Sequence, residues 1–456
     1  MSEQSLFKMF PPVTAKAWKQ KIQADLKGAD YNEALLWESP EGINVKPFYS
    51  AEDLEDRIQA AELNPSSWHV GQRIEAKDTS GLKDQCIDAI EGGAEHLILK
   101  LDSNNISVDE LISDPELKGT KLLIEADQWP PDTLKSMLKS SDGDQDNLFL
   151  CDVVGHLAAS GNWHKSFQDD FDTLKASLSE YPNTKIVAVN GALYQNAGAD
   201  KIQELAYVIA HAKEYLGRLQ INGFGHITFN ISVGSNYFFE IAKLKALRLL
   251  WQRLLDEEQR ELSCHIICSP SKRNKSIYDY NVNMLRSTIE CMAAILGGAD
   301  TIYNLPYDHM YHNQNDFADR IARNQLLILK HESYFDKVSN AAAGSYYIES
   351  LSRDMVKKAW AIYEQIQAGG GFLTQLKEHK IQKKIKESAD SQQQDFDDGI
   401  EILVGCNKYP NEADRMKDQL EKDPFMQKTV RKTLIEPILE KRLAEPLEKN
   451  RLDHER

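Results

Sequence analysis

Acidic and imidazole side chains cluster between Tyr307 and His312, directly after a predicted strand. Asp308, His309 and His312 are residue types that bind zinc or transfer protons, so this stretch could form a metal site or an acid–base pair. Asp308 and His309 are adjacent in the chain, however, and no partner ligand can be identified elsewhere. A polar loop with solvated histidines is therefore the favoured interpretation.

A second group of polar side chains follows another predicted strand. Asn190, Tyr194 and Gln195 lie in the stretch VAVNGALYQNAG, where an apolar run ends and a helical pattern begins. Strand ends that lead into helices are where α/β proteins place their chemistry. These three side chains could hydrogen-bond a buried ligand, or they could cap the next helix, and the residues alone leave both alternatives open.

Basic residues form a third candidate site. Lys272, Arg273 and Lys275 could bind a phosphate, although three basic residues in a loop are more often surface residues. The pair Cys264 and Cys268 is a weak zinc signal, because no second Cys/His pair has metal-ligand spacing. The sequence contains no Ser/His/Asp order and no phosphate-binding P-loop. These patterns do not by themselves indicate an enzyme.

Net charge, cysteine pattern and apolar runs limit the partners and the cell compartment that fit this sequence. The net charge of −16 over 456 residues argues against nucleic acid or an anionic membrane surface as a partner. The six cysteines are scattered, which is typical of a reducing compartment. No secretory signal and no apolar run of transmembrane length is present, so we expect a soluble, cytoplasmic protein.

Eight short apolar runs alternate with helical patterns, and the candidate residues follow the ends of several of these runs or lie within them. This count and length predict a (β/α)8 TIM barrel, with a doubly wound open sheet as the alternative. The runs are continuous rather than alternating, as expected for parallel strands that are buried on both faces. The predicted strands span 68–74, 96–101, 121–126, 147–154, 185–190, 226–233, 265–269 and 300–306.

Two further regions flank the predicted barrel, which we assign to residues 46–375. Residues 1–45 have apolar anchors but no core of their own, and we expect an extended arm that lies on this barrel or wraps another subunit. Residues 376–456 are charged and rich in Gln, and we expect a linker and helical tail. Within this tail, IEILVGCNKY (400–409) reads as a lone strand and the stretch 434–456 as a charged helix.

Several of these stretches resemble methylmalonyl-CoA mutases. Residues 190–216, NGALYQNAGADKIQELAYVIAHAKEYL, are similar to the family's SGYHMQEAG segment and the following helix with QELAY. Residues 238–254, FFEIAKLKALRLLWQRL, resemble its FMEIAKMRAARLLW helix. VKPFYSAEDL (45–54), GSYYIESL (344–351) and GCNKYPN (405–411) also match family patterns, and the matches occur in order along the chain.

The resemblance implies a (β/α)8 barrel that threads the coenzyme A chain of the substrate along its axis. In the family, a separate flavodoxin-like domain binds cobalamin through a D-x-H-x-x-G motif, and adenosylcobalamin chemistry interconverts methylmalonyl-CoA and succinyl-CoA. The family's Tyr-His pair falls on Ala192 and Leu193, and leucine cannot donate a hydrogen bond to the migrating thioester carbonyl. No D-x-H-x-x-G occurs here, and we expect no cobalamin-binding domain.

These departures predict that the chain has no catalytic residues and binds no cofactor or metal. Asn190, Tyr194, Gln195 and His265 remain as candidates for a vestigial pocket, although Ile267 replaces the polar neighbour of the family's histidine. The resemblance implies the non-catalytic small subunit of a heterodimeric mutase, whose large catalytic subunit would bind adenosylcobalamin. The alternatives are an active barrel chain of a split mutase with a separate cobalamin subunit, and a stand-alone acyl-CoA-binding scaffold.

Overall fold

The structure is a computed structural model of the full chain. It describes residues 13–54, 68–76, 81–101, 108–112, 114–117, 119–126, 129–141, 147–182, 184–220, 224–426 and 431–455. Among these residues, no helix is both long and apolar enough to cross a membrane.

Eight parallel strands close into a barrel at the centre of the fold. Each strand pairs with its neighbour in sequence, and the last strand pairs with the first, so the barrel prediction is confirmed and the open sheet is excluded. The predicted strands agree with the observed ones to within a few residues at each end. A short antiparallel hairpin, β1 (Trp37–Glu38) and β2 (Asn44–Val45), precedes the barrel. The barrel strands are β3 (His69–Ala76), β4 (His96–Leu101), β5 (Lys121–Ala126), β6 (Leu148–Cys151), β7 (Lys185–Asn190), β8 (His226–Val233), β9 (Ser263–Pro270) and β10 (Thr301–Tyr303).

Helices alternate with these strands and continue beyond the barrel. The helices up to the end of the barrel are α1 (Ala15–Asp25), α2 (Tyr31–Leu35), α3 (Leu82–Glu91), α4 (Asp109–Ile112), α5 (Pro131–Ser140), α6 (Val153–Ser160), α7 (Phe167–Glu180), α8 (Ala192–Asn196), α9 (Lys201–Arg218), α10 (Tyr237–Glu258), α11 (Val282–Gly297) and α12 (Asp316–Leu327). The later helices are α13 (Tyr346–Ala368), α14 (Phe372–Lys377), α15 (Lys380–Asp397) and α16 (Glu445–His454).

On several barrel strands the side chains alternate between two apolar environments. On β4, Leu97 and Leu99 belong to the large core between strands and helices, whereas Ile98 belongs to a separate buried cluster inside the barrel. This alternation follows from the two-residue period of a strand. The inner cluster comprises Ile98, Leu123, Leu148, Leu150, Ala188, Ile267, Tyr303 and Leu305.

The described part of the N-terminal arm contacts the barrel helices of its own chain. The Glu41 carboxylate accepts a hydrogen bond from Lys201 Nζ at 3.0 Å, and the Trp37 ring packs edge-on against Phe239 with centroids 5.7 Å apart. Of the two positions expected for the arm, residues 37–45 therefore take the one on their own barrel. The first twelve residues lie outside the described part of the chain, and the boundary at residue 45 stays a prediction.

The strand prediction for residues 400–409 is wrong. This segment consists of turns with one isolated bridge, and side-chain hydrogen bonds of Asn407 satisfy two of its backbone groups, which competes with strand pairing. Asn407 Oδ1 accepts from Leu403 N at 2.8 Å, and Asn407 Nδ2 donates to Phe396 O at 2.9 Å. Of the helix predicted for 434–456, only α16 (Glu445–His454) is helical. A proline lies in its first turn, where the missing backbone N–H costs no helical hydrogen bond.

Candidate functional site

The carboxyl end of β7 leads into α8 through Gly191, and this turn places the most informative stretch of the sequence. A Cβ atom on Gly191 would lie 2.5 Å from Val208 Cγ2 and 2.8 Å from Ile231 Cδ1, so only glycine fits. The turn buries Ala192 and Leu193, which are 7% and 4% exposed. The Leu193 side chain joins the large apolar core.

Tyr194 lies on the helix side of this turn, away from the barrel axis. It is fully buried, and its hydroxyl lies 2.9 Å from His211 Nδ1 on α9. His211 Nε2 in turn lies 2.9 Å from Asp152 Oδ1, and the same oxygen accepts from Tyr215 OH at 2.7 Å. Burial raises the pKa of Tyr194 well above its usual value, so the phenol stays protonated.

Asp152 is the centre of this buried network, because its carboxylate also accepts backbone hydrogen bonds. Asn190 N donates to Oδ2 at 2.7 Å and Gly155 N donates to Oδ1 at 2.7 Å. Burial by itself would raise the pKa of Asp152, but His211, Tyr215 and the Asn190 backbone donor outweigh it and lower the pKa. An ionised Asp152 therefore fixes the end of β7 to α9, and sequence inspection did not single it out.

Gln195 and the neighbouring Asn196 face the loop that follows β9. Ser271 Oγ donates to Gln195 Oε1 at 2.8 Å, and Lys272 N donates to Asn196 Oδ1 at 2.9 Å. Asn196 Nδ2 donates to Glu440 Oε1 at 3.1 Å, which brings the C-terminal tail to the same place. Asn190 accepts a bond from Asn230 Nδ2 at 3.4 Å at the mouth of the barrel. The structure therefore brings Asn190 and Gln195 to one end of the barrel.

His265 lies near the opposite end. It is the third residue of β9, and about 16 Å of strand separates it from Pro270 at the carboxyl end. Its Nε2 lies 2.8 Å from Thr301 Oγ1, which also contacts His96 Nδ1 at 2.7 Å. Burial, with smaller contributions from neighbouring positive charges, lowers the pKa of His265 well below its usual value. The four vestigial-pocket candidates consequently do not form one constellation.

The carboxyl mouth contains a charged cluster that sequence inspection missed. Arg73 Nη1 donates to Glu125 Oε2 at 2.8 Å, and Lys100 Nζ lies 3.5 Å from Glu125 Oε1. Burial would raise the pKa of Glu125, but the two cations outweigh it and hold the pKa at about 2. Charged residues close to the ends of three adjacent strands were the available signal, because parallel strands bring such residues together.

The Asp308 stretch forms a turn that is closed by its own side chains. His312 Nδ1 lies 3.0 Å from Asp308 Oδ2, and Asn315 Nδ2 donates to the same oxygen at 2.9 Å. His309 is half-buried, and burial lowers its pKa well below the usual value. Within the described ranges, no group of three or more His, Cys, Asp or Glu side chains is placed to hold a metal ion. This geometry favours the polar-loop interpretation.

The three basic residues after β9 point to different partners. Lys272 Nζ pairs with Glu440 at 2.8 Å, and Lys275 Nζ pairs with the buried Glu290 at 2.7 Å. Arg273 is 5% exposed and donates to Gln392 and to backbone carbonyls. The three side chains therefore do not converge on one phosphate.

Comparison with known proteins identifies the family of this chain. A family model described as methylmalonyl-CoA mutase matches residues 149–452, which is about two thirds of the chain and runs from β6 to α16. The chain belongs to the methylmalonyl-CoA mutase family. The family resemblance of the sequence is thus confirmed.

Individual relatives give the same family and two subunit types. A methylmalonyl-CoA mutase small subunit of Porphyromonas gingivalis is 33% identical over 92% of this chain and 73% of the relative. The small subunit of Streptomyces virginiae is 27% identical over 89% of this chain and 72% of the relative. A methylmalonyl-CoA mutase of Rhizobium meliloti is 34% identical, but the match covers 59% of this chain and only 40% of the relative. A large subunit of Streptomyces virginiae also matches, at 24% identity.

Proposed function

We propose that this chain is the non-catalytic small subunit of an adenosylcobalamin-dependent methylmalonyl-CoA mutase and supports a catalytic large subunit. The observation that carries the proposal is the position of Leu193. The family's histidine at this place would donate a hydrogen bond, whereas Leu193 is buried in the apolar core and has no donor. The neighbouring Ala192 likewise lacks the hydroxyl of the family's tyrosine.

The interior of the barrel supports the same function. The eight residues of the inner cluster are each at most 9% exposed and are mostly large and apolar. Threading a coenzyme A chain along the axis would require these packed side chains to move apart, and cores of this kind are close-packed. This feature weighs against the active split mutase, which would need an open axis.

The C-terminal tail supports it as well, because it covers part of the mouth where cobalamin chemistry would take place. Lys441 N donates to Asn196 O at 3.0 Å, and Leu443 N donates to Arg273 O at 2.9 Å. The Glu440 carboxylate accepts hydrogen bonds from the side chains of Asn196 and Lys272. These residues do not fit a corrin ring at this face, and we infer that the large subunit holds the adenosylcobalamin.

Co-expression with a large subunit of the family tests the assembly. We expect a 1:1 complex that survives gel filtration and dilution, with mutase activity that is absent from this chain alone. A matched control is the large subunit expressed alone, which should be less stable or less active than the complex. Two independently migrating proteins, with the large subunit fully active alone, would overturn the proposal.

Restoring the family pair tests the loss of chemistry. The double variant Ala192→Tyr with Leu193→His should give no measurable turnover in this chain with added adenosylcobalamin, because the axis and mouth remain filled. Substantial acyl-CoA turnover by that variant, or by the unmodified chain with a separate cobalamin subunit, would favour the split mutase. Calorimetry with coenzyme A thioesters on the isolated chain tests the scaffold alternative, since saturable binding would favour it.

A further inference from the structure

A groove lies between α15 and the tail segment 436–441, outside the barrel axis. It encloses about 610 Å³, a volume within the range of small-molecule sites. Its apolar lining includes Ile385 and Ala389 from the helix, and Ile438 and Leu439 from the tail. The groove therefore offers an apolar surface for an acyl or similar chain.

Arg273 lines this groove and is buried, and no carboxylate of the described residues contacts its guanidinium, although Glu401 and Glu445 lie close enough to act on its charge. Its guanidinium makes three hydrogen bonds, all to neutral acceptors: Gln392 Oε1 at 2.6 Å, Lys441 O at 2.9 Å and Ala389 O at 3.3 Å. Within the described residues it forms no salt bridge, and a guanidinium carries five N–H donors. A buried charge without an ionic partner is costly.

Neighbouring buried cations show that this situation is unusual for the chain. Arg442 Nη1 lies 2.7 Å from the Glu448 carboxylate, and Lys275 Nζ lies 2.7 Å from that of Glu290. Each of these cations is 4% exposed at its side chain and has an equally buried carboxylate partner. Arg273 is similarly buried but has no such partner among the described residues, so an anion from solution would supply the missing ion pair.

The rim of the groove reinforces the positive charge. Five Lys or Arg residues line the groove against three acidic residues, although the whole chain carries a net charge of −16. Lys386 and Lys441 line it and form no salt bridge within the described ranges. The local charge would therefore attract an anion from solution.

We propose that this groove binds an amphiphilic organic anion, with a carboxylate or phosphate group on Arg273 and an apolar chain against Ile385, Ile438 and Leu439. The guanidinium fork matches the paired oxygens of either group. The carboxylate and phosphate probes below distinguish the two head groups. The proposal concerns a surface outside the barrel and does not rest on assembly with a large subunit.

Isothermal titration calorimetry on the full chain tests the site with decanoate, decyl phosphate, inorganic phosphate and the neutral analogue decanol. We expect saturable 1:1 binding of at least one decyl anion. Decanol and inorganic phosphate should each bind at least tenfold more weakly, because the first lacks the charge and the second lacks the chain.

Variants locate the binding. Arg273→Gln should weaken the decyl anion at least tenfold, whereas Arg273→Lys should retain much of the affinity. Lys441→Glu provides a second test at the rim should the Arg273 variants fail to fold. Lys384→Gln is the matched control, because Lys384 is exposed on the same helix, pairs with Glu387 and does not line the groove.

Three results would overturn the proposal. The first is no saturable binding of either decyl anion, and the second is equal affinity for decanol or inorganic phosphate. The third is binding that changes equally little in Lys441→Glu and Lys384→Gln, because the ligand would then lie elsewhere. A polypeptide would be the occupant instead if the isolated chain bound no anion and Lys386 were protected from chemical labelling only in a complex with another protein.

Discussion

Replacing Asp152 by alanine should destabilise the chain strongly. The Asp152 carboxylate accepts three hydrogen bonds at 2.7 Å, from Asn190 N, Gly155 N and Tyr215 OH, and it lies 2.9 Å from His211 Nε2. Alanine would leave these donors buried without an acceptor. Because each unsatisfied buried group costs about 1–3 kcal/mol and local relaxation recovers part of this, we expect a loss of about 4 kcal/mol in the free energy of unfolding.

Asp152→Asn should cost about half as much, since the amide keeps one acceptor oxygen in the same place. Urea denaturation followed by circular dichroism and tryptophan fluorescence measures both losses. The control is Asp172→Ala, which removes an exposed carboxylate whose partner is the Gln168 side chain and should change stability by less than about 0.5 kcal/mol. A loss below about 1 kcal/mol for Asp152→Ala would refute the central role of this carboxylate.

A double-mutant cycle sharpens this test. Tyr215→Phe removes one donor to Asp152, so its effect should shrink when Asp152 is already asparagine. We expect a coupling energy of about 1 kcal/mol or more, because the two groups contact each other in a buried network. Additive effects would mean that the hydroxyl is satisfied elsewhere.

Three further predictions concern buried groups. Lys243→Ala should cost about 3–5 kcal/mol in urea denaturation, because this 1% exposed side chain compensates two buried carboxylates; a loss under 1 kcal/mol would contradict this. Gly198→Ala should lower the free energy of unfolding by about 1–3 kcal/mol, because the φ of Gly198 is +106° and a Cβ would lie 2.9 Å from Ala389 Cα. The control is Gly217→Ala, which should not destabilise, because a Cβ at Gly217 meets nothing within 4 Å. Stability should fall below pH 6.5 by up to about 3 kcal/mol per pH unit, because the unfolded state then binds protons that three buried or half-buried histidines do not bind in the folded state. Glu204, whose pKa is raised to about 7 by burial, takes up a proton in the folded state over the same range and offsets about one of these three. These histidines, with pKa values lowered by burial to about 2, to about 3 and well below the usual value, are His96, His226 and His265. A flat denaturation profile between pH 7.5 and 5.5 would contradict the third prediction.

Tyr194, His211 and Asp152 have the order of a proton relay, but their placement gives them a different role. Tyr194 on α8 and His211 on α9 are 0% exposed, and their side chains meet between these two helices rather than at the mouth of the barrel. A relay that no substrate can reach cannot transfer a proton to one. The network instead positions the turn that contains Ala192 and Leu193.

The charged side chains at the mouth of the barrel pair with one another. Arg73 and Lys100 pair with Glu125, and Lys272 pairs with Glu440 of the tail. Each of these charges has a partner from the chain itself. A mouth whose charges are already paired gives a substrate anion little additional stabilisation, which agrees with the proposed supporting function.

The sequence by itself determined the barrel. Apolar runs such as HLILKL and KIVAVN have the length and the β-branched content of parallel strands that are buried on both faces, and the helical periods between them leave few other folds. It also identified Ala192 and Leu193 as a departure from the family pattern, because that departure is a matter of residue type at aligned positions. These properties are local, so they can be read along the chain.

Only the tertiary structure decided which side chains meet. The sequence places Gln195 and His265 among the candidates for one pocket, but they lie near opposite ends of the barrel, because Gln195 follows β7 and His265 lies near the start of β9. Arg273 and its neighbour Lys272 were equivalent in sequence. In the part of the chain that the structure describes, Arg273 is buried without a salt bridge, whereas Lys272 pairs with Glu440, 168 residues away. The pairing of a charge with a partner so distant in the chain is set by how strands, helices and tail pack together, and no local pattern encodes it.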